Sequence, residues 1–262
     1  MNGLNETLVI WSAECRRTLR SSRVVALLGL YSLFSVVVFI AAVFLRSLSQ
    51  QMADAGMLPP TEGLPLSVQI VYFLSLFFLP LYIALMGFDQ VSGEVGPRSI
   101  RYLTVRSRRS SVLLGKVLAQ ATVLLGLVFV LDLGLGVYTV TTTPGFGALG
   151  FVRYVLHFWA ASVLFSCCFL ALTSLCSSVT TSPAVSLILN LAVLLFSFIL
   201  WMTGLADKEN LVRGVRYLSP LRYSLGLLST EPAQLAVSAA AYLFFTGLFL
   251  GGALAALRTR DL

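Results

Sequence analysis

GEVGPRSIRYLTVRSRRSSVLLGK, residues 93–116, sets five arginines and one lysine between two long apolar stretches. The 262-residue chain around it is 58% hydrophobic and 11% charged, whereas about a quarter of the residues in an average soluble domain are charged. This composition predicts an integral membrane protein. The basic segment is then a loop between two membrane spans. The rest of the sequence is needed to decide why this loop carries so much positive charge.

Six apolar runs are each long enough to cross a bilayer as a helix, which takes roughly 20 residues. They cover residues 24–45, 66–88, 112–138, 154–177, 183–203 and 233–257. The stretches between them are too short to bury a soluble core. We therefore predict an all-α integral membrane protein with six transmembrane helices, forming a single transmembrane domain over residues 1–262.

Apolar residues at helical spacing predict further helices outside the spans. Residues 4–20 have an amphipathic pattern that predicts a helix lying in the membrane interface; a charged flank of the first span is the alternative. The apolar stripe of this helix comprises Leu4, Leu8, Trp11, Cys15 and Leu19. Between spans 5 and 6, residues 204–232 predict short helices that dip into the outer leaflet and pack on protein, the alternative being an amphipathic surface loop.

The distribution of lysine and arginine predicts the orientation, because these residues concentrate in cytoplasmic loops. With the N-terminus inside, twelve of the 18 basic residues lie on the cytoplasmic side and six on the other. An even number of spans then places the C-terminus inside as well. The segment 93–116 is accordingly predicted to be cytoplasmic.

Groups that could form the active site of a membrane enzyme are sparse. The chain has one histidine, His157, and four cysteines without metal-ligand spacing. Asp132 lies deep inside a predicted span and is a candidate intramembrane polar site, with snorkelling or pairing to Arg153 as the alternative. Gly115 and Lys116 do not complete the phosphate-binding pattern GxxxxGK followed by Ser or Thr. We predict no catalytic residue, metal site or cofactor in this chain.

The pattern of residues in the segment 93–116 predicts a short helix between span 2 and span 3. Gly96 and Pro97 break the backbone, and proline suits the first position of a new helix. The helix over residues 99–104 would carry Ile100 and Leu103 on one side, within a charged collar. If the arginines only maintained the orientation of the chain in the membrane, no such helix would be needed. Apolar side chains surrounded by charged residues are instead typical of a surface on which a soluble protein docks.

The sequence of these features resembles the ABC-2 type family of ABC transporter permeases, which are six-span half-transporters. Four features stand at matching places: a glutamate after span 2, a short cytoplasmic helix, a pair of basic residues and then LLGK. The matching residues are Gly93, Glu94, Ser99, Ile100, Leu103, Arg108, Leu113, Leu114, Gly115 and Lys116. The segment YLSPLRYSLGLL from Tyr217 and the ending RTRDL from Arg258 are also similar to family segments.

The resemblance implies a function and a set of partners. It implies a permease of the bacterial cytoplasmic membrane that pairs with two copies of an ATP-binding subunit, which binds ATP and Mg, and with a second copy of itself or a similar permease. The lipid bilayer is its other partner, and no nucleic acid is implied. The short helix becomes the coupling helix, and the residues implied to contact the ATP-binding subunit are Glu94, Arg98, Ser99, Ile100, Arg101, Tyr102, Leu103 and Arg106.

The segment also departs from the family pattern. Pro97 and Arg98 replace the usual acidic residue and its neighbour, and Arg101, Tyr102 and Arg106 add charge or bulk to the face. This makes the docking face more basic and implies an acidic surface on the partner. The alternatives are an ATP-driven mechanical subunit for assembling an envelope structure or maturing a cofactor, a membrane-embedded enzyme and a passive channel, and the cargo class is open.

Overall fold

The computed structural model describes residues 3–54, 78–95, 107–142, 148–206, 214–229 and 231–259. Helices and short turns make up these residues, with no strand among them. The α-helices are α1 Gly3–Arg20, α2 Ser22–Asp54, α3 78–87, α4 Ser92–Val95, α5 Arg109–Thr142, α6 Ala148–Val179, α7 Pro183–Ala206 and α8 Pro232–Thr259. Three short 3₁₀ helices, Arg216–Leu218, Pro220–Tyr223 and Leu225–Leu228, precede α8. The prediction of an all-α protein is confirmed for the described residues.

Five of the described helices are long and apolar enough to cross a membrane. These candidate spans are Ser22–Ala41, Arg109–Tyr138, Leu149–Val179, Pro183–Met202 and Pro232–Thr259. They coincide with five of the six predicted spans. Most of the predicted second span, 66–88, lies outside the described residues, although its end, 78–87, is helical. The number six and the cytoplasmic location of both termini stay predictions.

Helix α6 lies at the centre of the bundle and packs on α5, α7 and α8. In its most apolar stretch 61% of the residues are buried, compared with 33% or fewer in the other four candidate spans. Phe165, Cys168 and Phe169 of α6 are almost completely buried. The outer helices instead keep large apolar side chains exposed, such as Ile188 of α7 and Phe244 of α8. An apolar outer face is expected of helices that contact lipid.

The N-terminal helix α1 runs alongside the first turns of α5. Trp11 Nε1 donates a hydrogen bond of 3.0 Å to Thr122 Oγ1, and Ser111 Oγ donates to the Gly3 carbonyl at 3.3 Å. The predicted apolar stripe is divided: Trp11 faces α5, whereas Leu4 and Leu8 are exposed. Helix α5 has 34 residues and is roughly 51 Å long, which exceeds a hydrocarbon core of about 30 Å. Part of α5 must therefore extend beyond that core; the interfacial position of α1 stays a prediction.

The irregular segment before α8 is packed on the bundle. Tyr242 OH donates to the Pro220 carbonyl at 2.9 Å, and Ser219 Oγ donates to the Ser197 carbonyl at 2.7 Å. Leu227 is completely buried, and His157 Nε2 lies 3.0 Å from its carbonyl oxygen. Short helices packed on protein were predicted here, but as 3₁₀ turns they are shorter than an α-helix. Their location in the outer leaflet stays a prediction.

Candidate functional site

Of the eight residues predicted to contact the ATP-binding subunit, the structure describes one. Glu94 lies in α4, immediately before the basic segment. The other seven, Arg98, Ser99, Ile100, Arg101, Tyr102, Leu103 and Arg106, lie outside the described residues. The residues on both sides of 96–106 are described, so the structure defines how the two ends of this segment are held.

Glu94 is the centre of a group of four charged side chains, which we call the anchor cluster: Glu14, Arg17, Glu94 and Lys116. Glu94 Oε1 accepts hydrogen bonds from Lys116 Nζ at 2.7 Å and from Arg17 Nη1 at 3.0 Å. Lys116 Nζ also donates to Glu14 Oε1 at 2.7 Å. The Lys116 side chain is 4% exposed and that of Glu94 is 11% exposed. Two positive and two negative groups therefore neutralise each other, with Lys116 and the two carboxylates largely buried and the Arg17 side chain 70% exposed.

The anchor cluster connects three helices, because Glu14 and Arg17 come from α1, Glu94 from α4 and Lys116 from α5. Taking a charge out of water costs several kcal/mol unless it is paired and hydrogen-bonded. Lys116 is paired on two sides, so separating α1 or α4 from α5 would remove one of its two charged partners. The cluster thus fixes the start of the 96–106 segment to α1 and α5.

Gly115 allows α1 to approach α5 beside the anchor cluster. A Cβ atom at this position would lie 2.7 Å from Ile10 Cγ2 and 3.2 Å from the Thr7 carbonyl oxygen. A larger residue would therefore push α1 away from α5. Cys15 also lies where α1 contacts α5, with its Sγ atom 3.8 Å from the Ala119 carbonyl oxygen. Burial, and secondarily the charge of Glu14, raise the pKa of its thiol.

A second ion pair joins the start of α2 to the turn before α4. Arg23 donates from Nη1 and Nη2 to the two carboxylate oxygens of Asp89, at 2.9 and 2.8 Å. Its guanidinium also lies 5.0 Å from the ring centroid of Phe88. A polar cavity of about 300 Å³ lies between this pair and the anchor cluster, with Gln90 and Gln120 in its wall. The bidentate geometry fixes the position of α2 more tightly than a single contact would.

Helix α6 holds the same turn from the other side. Ser177 Oγ accepts hydrogen bonds from the backbone amides of Val91 and Ser92, both at 3.0 Å. Ser174 Oγ donates to Gln90 Oε1 at 3.1 Å. The amides at a helix start have no partner within the helix, and Ser177 supplies one for the short α4. The chain therefore enters 96–106 from a turn bonded to the central helix of the bundle.

The far end of the segment is held by α1 and α8. The Arg108 amide donates to Glu6 Oε2 at 3.3 Å. Arg109 Nη1 donates to the carbonyls of Leu257 and Arg258, at 2.5 and 3.1 Å, in the last turn of α8. A cation at a helix C-terminus satisfies free carbonyls and is favoured by the helix dipole. The residues on both sides of 96–106 are thus bonded to other helices of the bundle.

A sequence profile of the ABC-2 family transporter proteins matches residues 8–259. The chain belongs to this ABC-2 family. No curated protein matches its sequence. The chain is an integral membrane protein, and its family is the permease component of ABC transporters, which is not itself catalytic. The resemblance inferred from Glu94, LLGK and the residues between them is thereby confirmed.

Two of the four residues in the anchor cluster of this ABC-2 permease were not predicted. Glu94 was identified through its motif, and Lys116 as the last residue of LLGK, but neither was expected to pair with α1. Glu14 and Arg17 carried only a weak signal, a glutamate and an arginine three residues apart on an amphipathic helix. The remaining predicted residue, Asp132, lies on α5 away from the cluster. Within the described residues it makes no ion pair with Arg153.

Proposed function

We propose that this chain is the permease subunit of an ATP-driven exporter in a bacterial cytoplasmic membrane. A separate ATP-binding subunit would bind and hydrolyse ATP with Mg, and this chain would convert its motion into export or flipping of a substrate. Membership of the ABC-2 family supports the permease role and implies association with an ABC ATP-binding subunit. The observation that carries the proposal is the anchor cluster around the buried Glu94, directly before the predicted coupling helix.

The attachments on both sides of 96–106 suit the transmission of force. At the start, Glu94 is bonded to Lys116 of α5 at 2.7 Å, and the preceding turn is bonded to α6 through Ser177. At the end, Arg109 is bonded to the last turn of α8. Closely packed interiors transmit displacement because they compress little. A partner that moves the coupling helix would therefore move three membrane helices together.

The predicted coupling helix offers both apolar contact and charge to that partner. Ile100 and Leu103 would insert into a groove of the ATP-binding subunit, and Arg98, Arg101 and Arg106 would face an acidic rim. Apolar anchors carry most of the affinity of such interfaces, whereas charges at the rim steer association and select the partner. We propose an assembly of two ATP-binding subunits with two permeases, the second being a copy of this chain or a similar one.

Co-purification tests the proposal. The tagged chain would be purified in mild detergent from membranes of its natural host, with ATP-binding subunits identified by mass spectrometry and ATP hydrolysis measured. We expect wild type to retain an ABC ATP-binding subunit. In Ile100→Ser/Leu103→Ser every charge is kept, but the loss of about 1.5–3 kcal/mol for each fully buried side chain would weaken association at least tenfold.

A matched control replaces two exposed leucines at a distance from the segment, as Leu218→Ser/Leu225→Ser. Both residues are exposed in the described structure, so this control should retain the ATP-binding subunit at the wild-type level. The proposal is wrong if wild type purifies without an ATP-binding subunit. Full retention and full ATP hydrolysis in Ile100→Ser/Leu103→Ser would leave the segment with a topological role only.

A further inference from the structure

A second cavity lies within the spans, away from the anchor cluster. It has a volume of about 320 Å³ and is bounded by α2, α3, α5 and α6. Its wall is largely apolar, with Leu79 of α3 and Val128 of α5 among its residues. Pockets that hold small organic ligands begin at roughly 300 Å³ and are mostly apolar with a few polar groups. The cavity is of a size that suits one small organic molecule.

Among the described residues that line the cavity there is one carboxylate, that of Asp132. Its Oδ2 atom is buried and has no hydrogen-bond partner in the described part of the chain. The ion pairs of the described structure involve Arg17, Arg23 and Lys116, and none of these reaches Asp132. A buried ionised carboxylate is strongly disfavoured unless a cation or hydrogen-bond donors accompany it. Among the described residues no cation is therefore paired with the Asp132 carboxylate, and the cavity has room for one.

Aromatic side chains line the same cavity as this carboxylate. Tyr31 and Phe39 of α2 and Tyr138 of α5 line the cavity, and the rings of Phe39 and Tyr138 meet edge to face with centroids 4.7 Å apart. An organic ammonium group is attracted to the faces of such rings, most strongly where water is excluded. Aromatic walls and a single carboxylate are together the arrangement that recognises an organic cation.

Other ligand classes fit the lining less well. Calcium takes six to eight oxygen ligands and magnesium requires a near-octahedral set, whereas this cavity offers one carboxylate and mainly apolar walls. An anion would be repelled by Asp132. A neutral apolar molecule would leave the carboxylate without a partner.

We propose that the cavity between α2, α3, α5 and α6 binds a small lipophilic ammonium cation, with the carboxylate of Asp132 as its counter-ion and Tyr31, Phe39 and Tyr138 around its apolar body. The proposal deepens the transporter assignment by naming a ligand class. Binding at this site does not depend on ATP hydrolysis, so it can be tested separately from the proposed coupling to an ATP-binding subunit.

The test is equilibrium binding of radiolabelled benzyltrimethylammonium to the full chain in nanodiscs of phosphatidylcholine, a lipid without net charge. This quaternary cation cannot lose its charge, and neopentylbenzene is a neutral molecule of the same shape. We expect saturable binding of the cation at one site per chain. We also expect neopentylbenzene to compete at least tenfold more weakly than the unlabelled cation, because it cannot pair with Asp132.

Two variants alter the cavity in different ways. Asp132→Asn keeps the side-chain shape and removes the charge. Gly134→Phe keeps Asp132 but fills space at a lining position where a Cβ atom would meet nothing within 4 Å. Each should weaken binding at least tenfold, while Glu231→Gln, at an exposed acid outside the cavity, should leave it unchanged. Having two variants keeps the proposal testable if one of them does not fold.

Folding of each variant is checked by its elution as a single species in size-exclusion chromatography. The proposal is overturned if wild type does not bind the cation or if neopentylbenzene competes equally well. It is also overturned if either correctly folded variant binds the cation as tightly as wild type. None of these outcomes concerns the ATP-binding subunit, so co-purification of that subunit remains an independent result.

Discussion

Replacing Lys116 with methionine should be among the most destabilising single changes in this protein. The methionine side chain is about as long as that of lysine and is as apolar as the lysine methylene chain, so the substitution removes the charge and little else. Glu14 Oε1 and Glu94 Oε1 both lie 2.7 Å from Lys116 Nζ and are therefore at most twice that distance apart. Without the ammonium group the two carboxylates repel each other by about 3 kcal/mol at an effective dielectric constant of 20, and only the largely exposed Arg17 remains to offset this repulsion.

The expected loss of unfolding free energy for Lys116→Met is about 3–5 kcal/mol, the usual result of removing one partner from a buried ion pair. No large reduction for solvent screening applies, because the Lys116 side chain is only 4% exposed. Arg17→Met is the matched control, since Arg17 contacts the same Glu94 oxygen but its side chain is 70% exposed. We expect that control to change stability by roughly 0–1 kcal/mol.

A double-mutant cycle with Glu94→Gln separates pairing from packing. In Lys116→Met/Glu94→Gln the repulsion is gone, and Glu14 keeps Arg17 at 3.8 Å. The double variant should therefore be more stable than Lys116→Met alone, with a coupling energy of about 2–3 kcal/mol. Reversible unfolding in mixed micelles of mild detergent and SDS, followed by tryptophan fluorescence, measures all four proteins. A loss below about 1 kcal/mol for Lys116→Met, or additive single changes, would refute this account of the anchor cluster.

Three further predictions concern the surroundings of this cluster and the orientation of the chain. Gly115→Leu should separate α1 from α5 and lower the unfolding midpoint in the same assay, while Gly126→Leu, which has open space at its Cβ, should not. In a variant whose single cysteine is Cys15, maleimide should react with Cys15 more slowly than with a free thiol at pH 7–8, because the raised pKa of Cys15 lowers the fraction of thiolate. Glu14→Gln should speed this reaction, and equal rates with and without Glu14 would contradict the prediction. A cysteine at position 56 should react with an impermeant reagent from outside intact cells and one at Ser107 should not; labelling of the latter would reverse the predicted orientation.

The amino-acid sequence alone determined those features that depend on local composition and spacing. Five predicted spans were found because a run of apolar residues forms a helix in a bilayer wherever its neighbours lie. The ends were less well predicted: α5 begins at Arg109 and not at residue 112, and it continues to Thr142, since polar residues can extend a helix beyond the lipid. Glu94 and the LLGK motif were recognised because their spacing along the chain is characteristic of the family.

Only the tertiary structure decided which residues meet. Lys116 is separated from Glu14 by 102 positions, and its choice of partner depends on how α1 lies against α5. That in turn depends on Gly115, where the missing side chain permits close approach. The sequence placed Asp132 within a span but left open a partner in Arg153, because the faces that two helices turn toward each other depend on packing over the whole bundle. Local periodicity determines helices, whereas buried charges and cavities arise where distant helices come into contact.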